Sequence, residues 1–145
     1  MEQEMAEQPH YGDIEVGSEI TPLIKRPTTR SAVKWAGAVG DYYEAHYDKE
    51  FAQSMGLPGV IVHGGVVMSY LGQMITDWVG ERGTLKKLGC SYRGIFFPGE
   101  DIICKGRIAE KYVIDGENHL ECELWAENPN GQRLALATAV LTLPD

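Results

Sequence analysis

No stretch constrains the fold of this chain more than Gly64 to Val79. Val66, Val67, Met68, Tyr70, Leu71, Met74, Ile75 and Trp78 crowd a helical repeat so densely that almost no polar face remains. Such a helix is stable only when buried, and here the cover must be a sheet. The strands to build one follow directly. Leu85 to Phe97, Asp101 to Lys111, His119 to Glu127 and Arg133 to Leu143 alternate and are rich in β-branched and aromatic residues. Pro98-Gly99, Asp115-Gly116 and Asn128-Pro129-Asn130-Gly131 separate them as turns. An earlier run, Glu19 to Arg26, reads as a strand whose Pro22 confines it to a sheet edge. The expectation is an α+β fold, a curved antiparallel sheet around one long central helix, with the last four strands in a meander.

Smaller elements precede the helix. Residues 1–13 are polar, acidic and aperiodic, with Pro9 and Gly12 as breakers, and read as a disordered tail before a single domain over residues 14–145. Thr28 or Thr29 caps an amphipathic helix from Arg30 to Val39 that Gly40 is suited to end. Lys49 to Met55 forms a short helix stopped by Gly56, and Leu57-Pro58-Gly59 makes a turn.

Composition narrows the function classes. A net charge of -8 argues against nucleic-acid binding, which needs clustered Lys and Arg on phosphates. Lys86, Lys87, Arg93, Lys105, Arg107 and Lys111 nevertheless fall close together, either as solvated strand-face charges or as a receptor for an anionic ligand such as a phosphorylated cofactor. No apolar run approaches the roughly 18 residues that cross a bilayer, and the N-terminus is acidic where a secretory signal is basic. The expectation is a cytoplasmic protein without membrane contact. Cys90, Cys104 and Cys122 are odd in number and widely spaced, which points to reduced, buried thiols and to neither disulfides nor a structural metal site.

The chemistry-bearing residues lie before the central helix. Asp41 and His46 sit five positions apart in a segment opened by Gly40. An imidazole titrates near working pH, and burial of Asp41 among Tyr42, Tyr43 and Tyr47 would raise a carboxyl group toward it, so the pair suits proton removal from water and delivery to carbon. Read without the rest, Asp41 is equally a turn cap. His63-Gly64-Gly65 then opens the central helix. Free N–H groups of a first helical turn point outward there, and glycine lets a carbonyl oxygen approach, so the Gly64 N–H suits an oxyanion-type role. His63 taken by itself reads as a junction histidine. Ser69 reads as bonded back to the preceding turn, Glu44 as a solvent-facing acid, and Glu44 or Asp48 as a possible orienting carboxylate for His46.

Together these motifs resemble the MaoC-like, R-specific enoyl-CoA hydratase family of the hot-dog fold. The resemblance rests on Gly40-Asp41, His46, Asp48 and Phe51-Ala52, on Ile61-Val62-His63-Gly64 with Ser69-Tyr70-Leu71, and on Ser91-Tyr92-Arg93 through Phe97-Pro98-Gly99-Glu100, spanning about Val16 to Leu143. It implies reversible syn hydration of a trans-2-enoyl-CoA to a 3-hydroxyacyl-CoA. Asp41 and His46 would hold the water, and the Gly64 N–H would polarise the thioester. Tyr43, His63, Gly65, Lys86 and Arg93 would contact substrate. Coenzyme A enters only as part of the substrate, with no metal and no separate cofactor. The resemblance also implies pairing, as a homodimer or as a heteromer with a second MaoC-like chain. Tyr43-Glu44 replaces the family's usual Asn-Pro, which alters the loop and acyl pocket. With the Thr76-Asp77-Trp78 helix ending and compact length, that replacement is similar to catalytic small subunits that act with a partner on bulky, steroid-type enoyl-CoA. A hot-dog acyl-CoA thioesterase and a non-catalytic acyl-CoA-binding subunit are the rival readings.

Overall fold

The computed structural model describes residues 7–145. A five-stranded antiparallel sheet carries the order β1-β3-β4-β5-β2. Its strands are β1 (Glu19–Lys25), β2 (Thr84–Tyr92), β3 (Ile102–Ile114), β4 (Glu117–Glu127) and β5 (Arg133–Thr142). Three helices complete the fold: α1 (Thr29–Val39), α2 (Lys49–Ser54) and α3 (Gly64–Val79).

Local chemistry explains most boundaries. Thr28 caps α1 through a reciprocal pair with Ser31, and Gly40 ends it in the left-handed region at φ 74°. β3 and β4 meet at Asp115-Gly116, both at positive φ, the signature of a tight hairpin turn. Asn128 closes the next turn by accepting N–H bonds from Asn130 and Gln132 on its side-chain oxygen. β1 is an edge strand, and its pairing with β3 slips between Ile20 and Leu23, the segment that holds Pro22.

α3 lies on the inner face of the sheet. Val67, Leu71, Met74, Ile75 and Val79 pack there against Ile20, Ile102, Ile108, Leu120, Leu124 and Leu141, all nearly inaccessible to solvent. Burying each such side chain contributes about 2 kcal/mol. The cover is one-sided: Ser69, Thr76 and Asp77 are exposed, and Met68, Tyr70 and Trp78 are half-buried. Five strands and the two shorter helices do not encircle the sixteen-residue α3, so one flank of it stays uncovered among the described residues.

Two expectations about the strands are corrected. The last four do not form a meander: β3, β4 and β5 do, but β2 pairs with β5 on the far side. β2 also stops at Tyr92 and not at Phe97, because Arg93 and Gly94 both turn their N–H groups onto the Leu134 carbonyl. The chain from 93 to 101 then crosses under the start of α3, bonding Phe96 O to Val62 N–H and Gly99 N–H to Pro27 O. Pro98-Gly99 therefore belongs to a crossing loop and not to a hairpin.

Of the stretch read as a disordered tail, residues 1–6 lie outside the described residues, whereas the rest docks. Tyr11–Asp13 form a 3-10 turn, and the Tyr11 hydroxyl donates to the Tyr112 carbonyl at 3.3 Å. Lys111 stands 4.3 Å from the Tyr11 ring centroid and donates to the Tyr11 carbonyl at 2.8 Å. A cation over an aromatic face, tied to backbone carbonyls, supplies the ordering that periodicity does not reveal.

Candidate active site

Gly40 reverses the chain at the end of α1 and delivers Asp41 to the mouth of the fold. Asp41 Oδ1 accepts the Tyr43 N–H at 3.3 Å, a turn that fixes its carboxylate. A single 3-10 turn, Glu44–His46, then drops His46 inward, where it is only 8% exposed. His46 Nδ1 lies 2.8 Å from the Ile61 carbonyl oxygen. A carbonyl only accepts, so Nδ1 carries the proton and Nε2 is left with its lone pair. The orienting group of His46 is thus a backbone carbonyl. Neither acid read for that role supplies it: Asp48 caps α2 by accepting the Phe51 N–H at 3.0 Å, and Glu44 is exposed.

His63 is more than a junction residue. It is 1% exposed and stacks on His46 with ring centroids 3.7 Å apart and planes 21° from parallel. Its Nε2 lies 3.4 Å from the Asp41 carbonyl oxygen and 4.0 Å from Asp41 Oδ2, while its Nδ1 is buried and finds no partner among the described residues. Burial, and then the neighbouring His46, push the His63 imidazole below its usual range, so it stays neutral at pH 7. Asp41, His46 and His63 each offer a donor atom within 4.8 Å of the others. As a metal cage they fit poorly. In-plane nitrogen lone pairs on two stacked, nearly parallel rings do not converge on one ion, and a tetrahedral site would have to part the stack.

The remaining expected residues fall in two groups. Tyr43 sets its ring edge-on against His46 and against Phe51, at 5.7 Å and 5.8 Å, and its hydroxyl reaches Met55 Sδ at 3.1 Å. Gly64 and Gly65 open α3, and neither N–H finds an acceptor among the described residues, since the bonds to the His63 carbonyl come from Val66 and Val67. Ser69 donates back to the Gly65 carbonyl at 2.8 Å, as expected. Arg93 follows Tyr92, whose ring covers Gly64, and so lies at the same end of the fold. Lys86 lies six residues up β2, roughly 20 Å away along the strand. Of the basic residues read as a patch, Lys105 pairs with Glu127 at 3.0 Å, Arg107 with Glu123 at 2.8 Å, and Lys111 with backbone carbonyls. Lys86, Lys87 and Arg93 have no ionic partner among the described residues.

The expected burial of Asp41 does not occur within one chain. Its side chain is 48% exposed, and Tyr42, Tyr43 and Tyr47 are themselves exposed around it. A groove of about 300 Å³ lies between α1 and α3, lined by Ser31, Lys34, Trp35, Ala38, Val66, Ser69 and Tyr70 and by none of Asp41, His46 and His63. A larger hollow of about 540 Å³ lies on the outer face of the sheet, around Gly89, Ser91, Trp125, Leu136 and Thr138, and is lined by neither histidine nor by Asp41.

A curved antiparallel sheet cradling one long helix, with an acid and imidazoles gathered at the helix start, is the architecture of the hot-dog fold. Residues 14–124 match the model of the MaoC like domain, and the chain belongs to that family. Water addition and removal is the chemistry of this family. The chain is 25% identical over 124 residues to "Fatty acid synthase beta subunit TOXC" of Cochliobolus carbonum, covering 83% of itself and only 6% of that protein's length. It superposes with a TM-score of 0.85 on R-hydratase PhaJ1 from Pseudomonas aeruginosa, at 18% identity over 94% of this chain and 86% of that one. With the ChsH1-ChsH2 complex from Mycobacterium tuberculosis the TM-score is 0.77 at 21% identity, over 89% of this chain and 98% of that one. No helix among the described residues is long and apolar enough to cross a membrane.

Proposed function

We propose that this chain catalyses the reversible hydration of a trans-2-enoyl-CoA to a 3-hydroxyacyl-CoA. The observation that carries the reading is the gathering of Asp41, His46 and His63, one polar atom of each within 4.8 Å of the others, beside two amides at the start of α3 that find no acceptor among the described residues. A water held between Asp41 and His46 loses a proton to His46 Nε2 while its oxygen bonds to C3 of the substrate. Electron density moves from the C2–C3 double bond to the thioester oxygen, where the Gly64 N–H meets it. The imidazolium passes its proton to the Asp41 carboxylate, which delivers it to C2 as the density returns, so both groups end as they began and one water has been added. Removing one donor of the Gly64 kind costs about 3 kcal/mol in a transition state.

On this reading His63 backs His46, and Tyr43, Gly65, Arg93 and Lys86 contact the acyl-CoA, with Arg93 and Lys86 free to receive its phosphates. The half-open setting of Asp41 and the uncovered flank of α3 favour a second chain over the mouth, either another copy or a second MaoC-like chain. The likeness to the ChsH1-ChsH2 complex supports the second possibility. Incubation with crotonyl-CoA and with longer and bulkier 2-enoyl-CoA tests the reaction. Loss of the conjugated double bond without release of free thiol is expected. Thiol release marks a thioesterase, and no change with any substrate marks a binding subunit.

A further inference from the structure

The hydroxyl of Tyr92 donates to the Gly64 carbonyl oxygen at 2.7 Å. The same ring stands over Gly64, where a Cβ would lie 3.0 Å from Tyr92 Cζ. On the other side the Trp35 indole closes on Gly65, where a Cβ would meet Cζ2 at 2.8 Å. The Gly64-Gly65 amide is therefore clamped between two aromatic rings, one from the end of β2 and one from α1. Both glycines are required by this clamp, because any side chain would displace a ring.

The Gly64 carbonyl and the Gly65 N–H are the two ends of one amide. A hydrogen bond into the oxygen draws electron density from the nitrogen and makes its N–H a stronger donor. It also fixes the plane in which that N–H points, a freedom that consecutive glycines otherwise keep. We propose that Tyr92 is a positioning residue for the reaction: its hydroxyl locks and polarises the Gly64-Gly65 amide, so that the Gly65 N–H joins the Gly64 N–H as a second donor to the thioester oxygen. The anchor is stiff, since Tyr92 is the last paired residue of β2, opposite Ala135 of β5. It also stays a donor at any working pH, because burial pushes its phenol up to about 12.

The inference rests on the proposed hydration, and the test separates the two. Tyr92→Phe keeps the ring and removes only the hydroxyl. Its kcat is expected to fall about tenfold with KM nearly unchanged, since the bond serves the developing oxyanion and not ground-state binding. Its thermal midpoint should stay within about 2 °C of wild type, because one half-exposed hydrogen bond contributes little to stability. In an Asp41→Asn background that holds substrate without turnover, infrared spectra of bound crotonyl-CoA should show the carbonyl stretch returning toward its free value when Tyr92→Phe is added. Active wild type with an equally active Tyr92→Phe, or a fall in kcat without a change in the carbonyl stretch, overturns the role of Tyr92 alone. A wild type that hydrates no 2-enoyl-CoA overturns the hydration and the clamp's purpose with it.

Discussion

At the scale of single residues, the site depends on which nitrogen of His46 is free. Its Nδ1 proton is committed to the Ile61 carbonyl, so Nε2 is the nitrogen left to act as a base, and the ring is oriented without an acidic neighbour. His46→Ala and Asp41→Ala are each expected to lower kcat by about 10²–10⁴ with the fold retained. Steady-state kinetics beside a circular dichroism spectrum checks this, and near-wild-type turnover in either variant rejects the assignment. His63 makes a second, independent prediction. Held neutral by burial, it binds fewer protons folded than unfolded just below its ordinary value of 6.5. Its contribution to stability is therefore fully present above about pH 6.5 and is lost as the pH falls below it. Urea midpoints measured from pH 7.5 to 5 should fall more steeply for wild type than for His63→Gln. Parallel curves would mean that the buried imidazole is not held neutral.

At the scale of elements, α3 ties stability and site together. Its buried face carries Leu71 and Ile75 at 0% exposure, while its first turn carries the amides of the site. Leu71→Ala leaves a cavity in the centre of the core and is expected to cost about 2–5 kcal/mol, a drop in thermal midpoint of roughly 10 °C. Calorimetry would show it, and a midpoint unchanged within 2 °C or so would mean that the helix is not the packing centre. Much of this element was legible in advance: the apolar run set its start at Gly64 and its end at Val79. What periodicity did not reveal was the partner of β2. A strand's own alternation specifies which face it buries, but its neighbour is decided by where the preceding helix leaves it and by how far the next loop carries the chain. His63 escaped for a similar reason. Nothing local distinguishes a junction histidine from one whose ring lands 3.7 Å from another seventeen positions earlier.

At the scale of the whole molecule, one chain leaves strand edges and a helix flank open. β1 and β2 are edge strands, one flank of α3 is open, and exposed Tyr42, Tyr43, Tyr47 and Tyr92 surround the mouth. Unpaired edges and an apolar rim are surfaces that proteins cover. Size-exclusion chromatography with light scattering is expected to give a mass of at least twice 16.0 kDa, either for this chain with itself or with a second MaoC-like chain added. A monomer with full hydratase activity would show that the mouth needs no cover.

The order of elements, the long central helix, the caps at Thr28 and Gly40 and the candidate pair Asp41 and His46 were all present in the sequence, because each rests on contacts or spacings within a few residues. The sheet order, the stack of His46 on His63, the Ile61 carbonyl that sets the tautomer and the rings of Tyr92 and Trp35 around two glycines were decided only by the tertiary structure. Each of these joins groups far apart in the chain, and no local pattern encodes a distance that only the packed core brings about.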